Sequence, residues 1–172
     1  PVALDADATA ALPVGAHTAK ITFRDLCTDR TFTRQARLTI LPSIAVTPSD
    51  DAHFEAVFGD PPSPAGKTYV LQNLSTDNAI RWQVVADGSP SWLNISTNGA
   101  GSTLAPQATV AVRVTPVLTE EVRDPGSYTA TLRFRHKSDA GGTLHELTRR
   151  VTLDILELDV VPTDGFAASG PV

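Results

Sequence analysis

Four histidines, a single cysteine and two pairs of aspartates are the residues whose types could do chemistry. His136 and His145 flank one short run, with Glu146 beside the second. Two imidazoles and a carboxylate are a donor set for a divalent metal. The spacing fits neither a zinc finger nor HExxH, and the competing reading is a solvated hairpin whose two histidines face each other. Asp5 with Asp7, and Asp50 with Asp51, are the candidates for calcium, which takes clustered carboxylates and carbonyls. Neither stretch has the glycine-containing loop of an EF-hand, and plain surface acids are the alternative. Cys27, in "FRDLCTDR", has no neighbouring histidine to draw off its proton, which favours a structural or incidental thiol. The chain has no G-x-S-x-G elbow and no glycine-rich phosphate loop. The residues therefore assign no catalytic group, no cofactor site and no metal ligand, and the expectation is a protein that is not an enzyme.

The aromatic residues pose a different question. Trp92 lies in "DGSPSWLNIS", beside a proline turn and inside a polar run. It is the one tentative surface aromatic, since a tryptophan at a turn can stack on a sugar ring. The other reading makes it a plug of the core, with either Trp92 or Leu93 facing inward. Trp82 alternates with Ile80 and Val84 and belongs inside. His17 aligns with Tyr128 in the repeat described below, as a partly buried strand residue. Asn73 and Asn94 match the N-glycosylation sequon.

The bulk composition narrows the classes. The 172 residues are 41% hydrophobic and 19% charged, a globular balance. A net charge of −5 offers no basic stripe to a phosphate backbone, which argues against nucleic acid. No run reaches the roughly 18 apolar residues of a membrane span. One cysteine makes no internal disulfide. The absence of methionine and of a leader suggests a processed product or a segment of a longer polypeptide.

An internal repeat organises the chain. "GAHTAKITFR" from Gly15 matches "GSYTATLRFR" from Gly126, an offset of 111. "TRQARLTIL" from Thr33 matches "TRRVTLDIL" from Thr148, an offset of 115. The four extra residues fall between the blocks, in the longer loop around "KSDAGGT". "VTPSD", Val46 to Asp50, matches Val160 to Asp164 at offset 114. The chain thus divides into residues 1–41, the C-terminal half of one repeat; 42–156, a complete repeat; and 157–172, the first strand and loop of a following one.

Within 42–156 the apolar period is two. Ile44 and Val46 form one stripe, Tyr69 and Leu71 a second, and Ile80, Trp82 and Val84 a third. Val110, Val112 and Val114 follow, then Tyr128 to Phe134 at alternate positions, then Val151, Leu153 and Ile155. A short strand is expected around Trp92 to Ile95. Such alternation buries one face and wets the other. The separators "GDPPSPAG", "DGSPS", "TNGAGS", "RDPGS" and "DAGG" are turn formers. About seven short strands in a repeat of this length predict an all-β, immunoglobulin-like antiparallel β-sandwich in tandem.

The order "YVLQN", "IRWQV", "SWLNIS", "GSTLAPQATVAVRV", "DPGSYTATLRF", "RRVTLDIL" resembles bacterial Ig-like repeats of the BACON type, and more widely the ASH/MSP-like sandwiches. The resemblance implies an extracellular, cell-surface or periplasmic bacterial module that acts as a spacer, an adhesive unit or a carbohydrate binder. It transfers no binding residue. The expected partners are neighbouring repeats or subunits of the same protein, with glycans as the alternative. The expected role is a structural segment of a stalk, fibre, sheath or filament. If the chain ends are real, their unfinished strands could instead be filled by a neighbouring subunit.

Overall fold

The computed structural model describes residue 3 and residues 12–57, 59–97, 103–139 and 141–157. Asp5, Asp7 and the stretch 158–172 lie outside the described residues. The described chain is all β, with one 3-10 turn at Glu120–Val122. The strands are β1 (Gly15–Arg24), β2 (Thr31–Ile40), β3 (Ile44–Thr47), β4 (Ala52–Val57), β5 (Lys67–Asn73) and β6 (Ile80–Ala86). They continue with β7 (Leu93–Thr97), β8 (Thr103–Leu104), β9 (Thr109–Pro116), β10 (Gly126–Lys137) and β11 (Thr143–Leu156).

Two sheets form a sandwich from β3 to β11. One has the order β4-β11-β10-β6-β8 and the other β3-β5-β9-β7. The expected stripes are the buried ones. Ile80, Trp82 and Val84 point inward from β6, Leu132 and Phe134 from β10, and Val151, Leu153 and Ile155 from β11. Ile44, Val46, Tyr69, Leu71, Val112 and Val114 face them from the other sheet. The Tyr69 and Phe134 rings meet edge to face across the sandwich, with centroids 5.6 Å apart. With no disulfide in reach, this apolar layer is the main favourable term holding the sheets together.

Two strands depart from the expected set: β4, and the two-residue β8 at the edge beside β6. β4, "AHFEAV", buries Ala52, Phe54 and Ala56 and runs parallel to β11, Ala52 opposite Val151. The chain leaves β3 in one sheet and enters β4 in the other through Pro48–Asp51. That crossover is tied down by side chains from both sheets. The Arg149 guanidinium donates to Val46 O at 2.8 Å and Pro48 O at 3.3 Å. Tyr69 donates its hydroxyl to Asp50 O at 3.1 Å.

β1 and β2 stand apart as a two-stranded sheet, hydrogen-bonded to no other strand among the described residues. Its ladder runs from Gly15 opposite Ile40 to Arg24 opposite Thr31. The β10–β11 ladder runs from Gly126 opposite Ile155 to Arg135 opposite Glu146. Adding 111 to each β1 number and 115 to each β2 number converts the first ladder into the second, pair by pair. The four extra residues add more than loop. They continue the hairpin past Arg135, place His136 opposite His145 and end in a bulge at Lys137.

Candidate functional site

Trp92 is 3% exposed and Leu93 8%. The alternation that would put one of them in water does not apply, because Trp92 precedes β7 in a turn closed by Leu93 N to Pro90 O. Off the pleat, both side chains reach the core. Trp92 therefore presents no ring face to a sugar, which corrects its reading as a surface aromatic. Glu121 holds the turn from the 3-10 segment by accepting from Ser91 N at 2.9 Å.

The two sequons separate in the structure. Asn94 is exposed on β7. Asn73 is fully buried, the one buried polar side chain among the described residues. Its Nδ2 donates to Asn78 O at 2.9 Å, Ala105 O at 2.9 Å and Leu104 O at 3.1 Å. Its Oδ1 accepts from Ser75 N at 2.9 Å. The amide ties the end of β5 to the segment after β8, so in the folded protein it is closed to a glycosylating enzyme.

Of the acids proposed for calcium, Asp50 and Asp51 are engaged by other groups, and Asp5 and Asp7 lie outside the described residues. The Asp50 carboxylate pairs with the Lys67 ammonium, which holds its pKa below the usual carboxylate range. Asp51 Oδ1 accepts from Arg150 N at 2.8 Å. Burial pushes the Tyr69 phenol up to about 12, helped by the Asp50 and Asp51 charges, so it stays a neutral donor. Among the described residues no three His, Cys, Asp or Glu side chains cluster closely enough for a metal ion. Cys27 is exposed in the β1–β2 turn.

The histidines do meet, but around a serine. Ser43 lies in the three-residue connection from β2 to β3. Its backbone N–H points at His145 Nδ1, 3.2 Å away, and its hydroxyl lies 2.8 Å from His136 Nδ1. Burial lowers both imidazole pKa values, and the neighbouring His145 charge lowers His136 further. A neutral Nδ1 on His145 is the form that can accept from Ser43 N. Glu146, offered as the third metal ligand, turns to the opposite face and bridges Arg133 and Arg135 at 2.6 Å each. The Arg135 and Arg133 guanidiniums hold its carboxyl below the usual range. Arg133 also grips Asp87 with two bonds, giving a charge ladder across the outer face of β6, β10 and β11.

The concavities of the sandwich are open and polar. One of about 580 Å³ is lined by Asp51, Thr131, Thr148 and Arg150 among others, without an aromatic ring. The hairpin differs. Directly opposed residues share a face of a sheet, so His17, Ala19, Ile21, Phe23, Phe32, Ala36, Leu38 and Ile40 fall on one side, with Arg34 among them. Thr18, Lys20, Thr22, Arg24, Thr31, Thr33, Gln35, Arg37 and Thr39 fall on the other. The apolar side is open: Phe23 is 46% exposed and Phe32 53%. A concavity of about 420 Å³ lies on it between Leu12, His17, Ala19, Ala36 and Leu38.

No family model matches the sequence, and no curated protein matches it. Among solved structures, the chain is similar to the ASH/PapD-like domain of human CEP192 (PapD-like domain 7), at 11% identity and a TM-score of 0.47, over 68% of this chain and 87% of that one. It is similar to WR4, a C. elegans MSP family member, at 12% identity and a TM-score of 0.43, over 66% and 98%. It is also similar to the E. coli chaperone DraB, at 11% identity and a TM-score of 0.44, over 66% of this chain and 54% of DraB. The sandwich itself is established by its own two sheets.

Proposed function

We propose that this chain is a non-catalytic structural segment of a tandem array of Ig-like repeats, of BACON type, in a secreted or cell-surface bacterial protein that builds a stalk, fibre, sheath or filament. The observation that carries the reading is the duplicated ladder. β1–β2 and β10–β11 share ten consecutive paired positions in one register, and among the described residues only the second hairpin belongs to a sandwich. Two contacts off the ladder agree. Tyr128 donates to Asp124 O four residues back, and His17 Nε2 lies 2.7 Å from Pro13 O, also four back. The connection between the two units supports a stiff join. It is three residues long and Ser43 within it is held by two histidines, which leaves little slack.

Asp50, Asp51, His136, His145 and Glu146 support a structural role by what they do. They brace the crossover, the inter-unit connection and the outer face. The test is the intact mass of the native polypeptide, followed by negative-stain imaging. A mass several times 18.2 kDa and a rod with a regular axial repeat are expected. A native polypeptide of 18.2 kDa that forms no fibre overturns the reading.

A further inference from the structure

The apolar face of the β1–β2 hairpin has a definable complement. In the complete repeat, the equivalent hairpin face is covered by the sheet β3-β5-β9-β7, while β6 and β4 flank the hairpin within its own sheet. The equivalences run residue by residue. Ile21, Phe23, Leu38 and Ile40 occupy the places of Leu132, Phe134, Leu153 and Ile155, each of which is 3% exposed or less. The polar groups on that face repeat as well. Arg149 donates Nη1 to the carbonyl of the preceding residue, Thr148, at 2.7 Å. Arg34 does the same to Thr33 O at 3.1 Å. Arg149 then spends Nε on the carbonyl of Pro48, just past β3, and Nη2 on that of Val46 in β3. Nε and Nη2 of Arg34 have no partner among the described residues. The hairpin thus carries the apolar side chains of a core and a guanidinium whose Nε and Nη2 donors its own sheet does not satisfy.

We infer that this face is the docking site for the front half of a preceding repeat, a β-half-sandwich built like residues 42–123 of this chain, which offers Arg34 one carbonyl from its first strand and one from just past it. The inference rests on the array reading and deepens it by naming what each residue of the face receives. The occupant is a half-sandwich and not an intact copy of the complete repeat, because in the intact repeat the matching surface is already covered by β10 and β11. A sugar or small apolar ligand would account for the concavity beside Leu38 but not for the register or for Arg34.

The test compares the full chain with an extended chain in which a copy of residues 42–123 is joined to Pro13, the residue in the place of Asp124. Amide exchange is read strand by strand. In the full chain alone, β1–β2 amides are expected to exchange quickly, as isolated hairpins do. In the extended chain they should slow by on the order of a hundredfold or more, toward the rates of β10–β11, since core strands open only with the whole unit. Leu38→Asp in the extended chain should abolish that protection, and Arg34→Ala should weaken it, with β10–β11 unchanged as the folding control. Unchanged β1–β2 exchange on extension, with the added copy itself folded, overturns the inference. Protection of β1–β2 in the full chain alone that grows with protein concentration also overturns it, because a second copy would then be the occupant. The array reading is decided separately by the native mass, so either can fail without the other.

Discussion

Replacing Asn73 by alanine isolates the largest buried polar commitment in the sandwich. The amide serves four main-chain groups: the carbonyls of Asn78, Leu104 and Ala105, and the N–H of Ser75. Nδ2 carries two hydrogens, so three carbonyls within 3.1 Å share them, and the side chain supplies about three full hydrogen bonds. At about 1 kcal/mol net for each, plus a desolvation penalty of about 1–3 kcal/mol where a buried carbonyl is left without a donor, the loss is ~4–6 kcal/mol. For a unit of this size that lowers Tm by roughly 16–36 °C. Asn73→Asp should cost more at neutral pH, because a carboxylate would face three carbonyl oxygens where a donor stood. The control is built in. Asn94 carries the same N-x-S motif on an exposed position, and Asn94→Ala should stay within about 0.5 kcal/mol. Urea unfolding of the three variants followed by intrinsic fluorescence measures all of this. A loss below about 1 kcal/mol for Asn73→Ala would refute the accounting, since it would mean that the four partners find water or each other without it.

Equivalent residues of the two hairpins should respond unequally. Phe134→Ala is expected to destabilise the sandwich by about 3–5 kcal/mol, whereas Phe23→Ala, at an exposed site, should change the same transition by less than about 0.5 kcal/mol; equal losses in denaturant melts would show that the hairpin shares the core. Trp82 and Trp92 are both buried, so native emission should be blue-shifted and poorly quenched by iodide, and Trp92→Ala should cost about 3–5 kcal/mol in the same melts. A solvent-quenched tryptophan would contradict the burial of Trp92. The depressed pKa values of His136 and His145 mean that the unfolded chain binds these protons more readily, so stability present above the ordinary imidazole value near 6.5 is lost as pH falls through the lowered folded values. The paired carboxylates Asp50, Asp87, Glu146 and Asp154, the last 2.7 Å from His53 Nε2, lose their contribution only at lower pH, near and below the ordinary carboxylate range. Thermal melts from pH 7.5 to 5 should therefore slope downward, and the double variant His136→Gln, His145→Gln should flatten that slope; an unchanged slope would remove the clamp on Ser43 as its source.

What the sequence determined by itself is local and periodic. Alternation placed the inward residues of β3, β5, β6, β9, β10 and β11 correctly because a strand sends successive side chains to opposite faces, and a half-buried sheet writes that geometry into residue type. The repeat at offsets 111 and 115 anticipated two hairpins of one register, since a hairpin ladder is set by its own strands and turn. Tertiary structure decided whatever depended on residues distant in the chain. β4 escaped notice because two of its inward residues are alanines and its pairing with β11 is parallel and nearly a hundred residues away, with no turn between them to announce it. Trp92 and Leu93 are both inside because a turn, not a pleat, orients the first of them. Asn73 reads as a sequon until Leu104 and Ala105 are folded over it. His136 and His145 read as a solvated hairpin, with a metal pair as the lesser alternative, until the connection through Ser43 is laid between them. In each case the residue type states what bonds a side chain can make, and only the packed sheets decide which atoms arrive to make them.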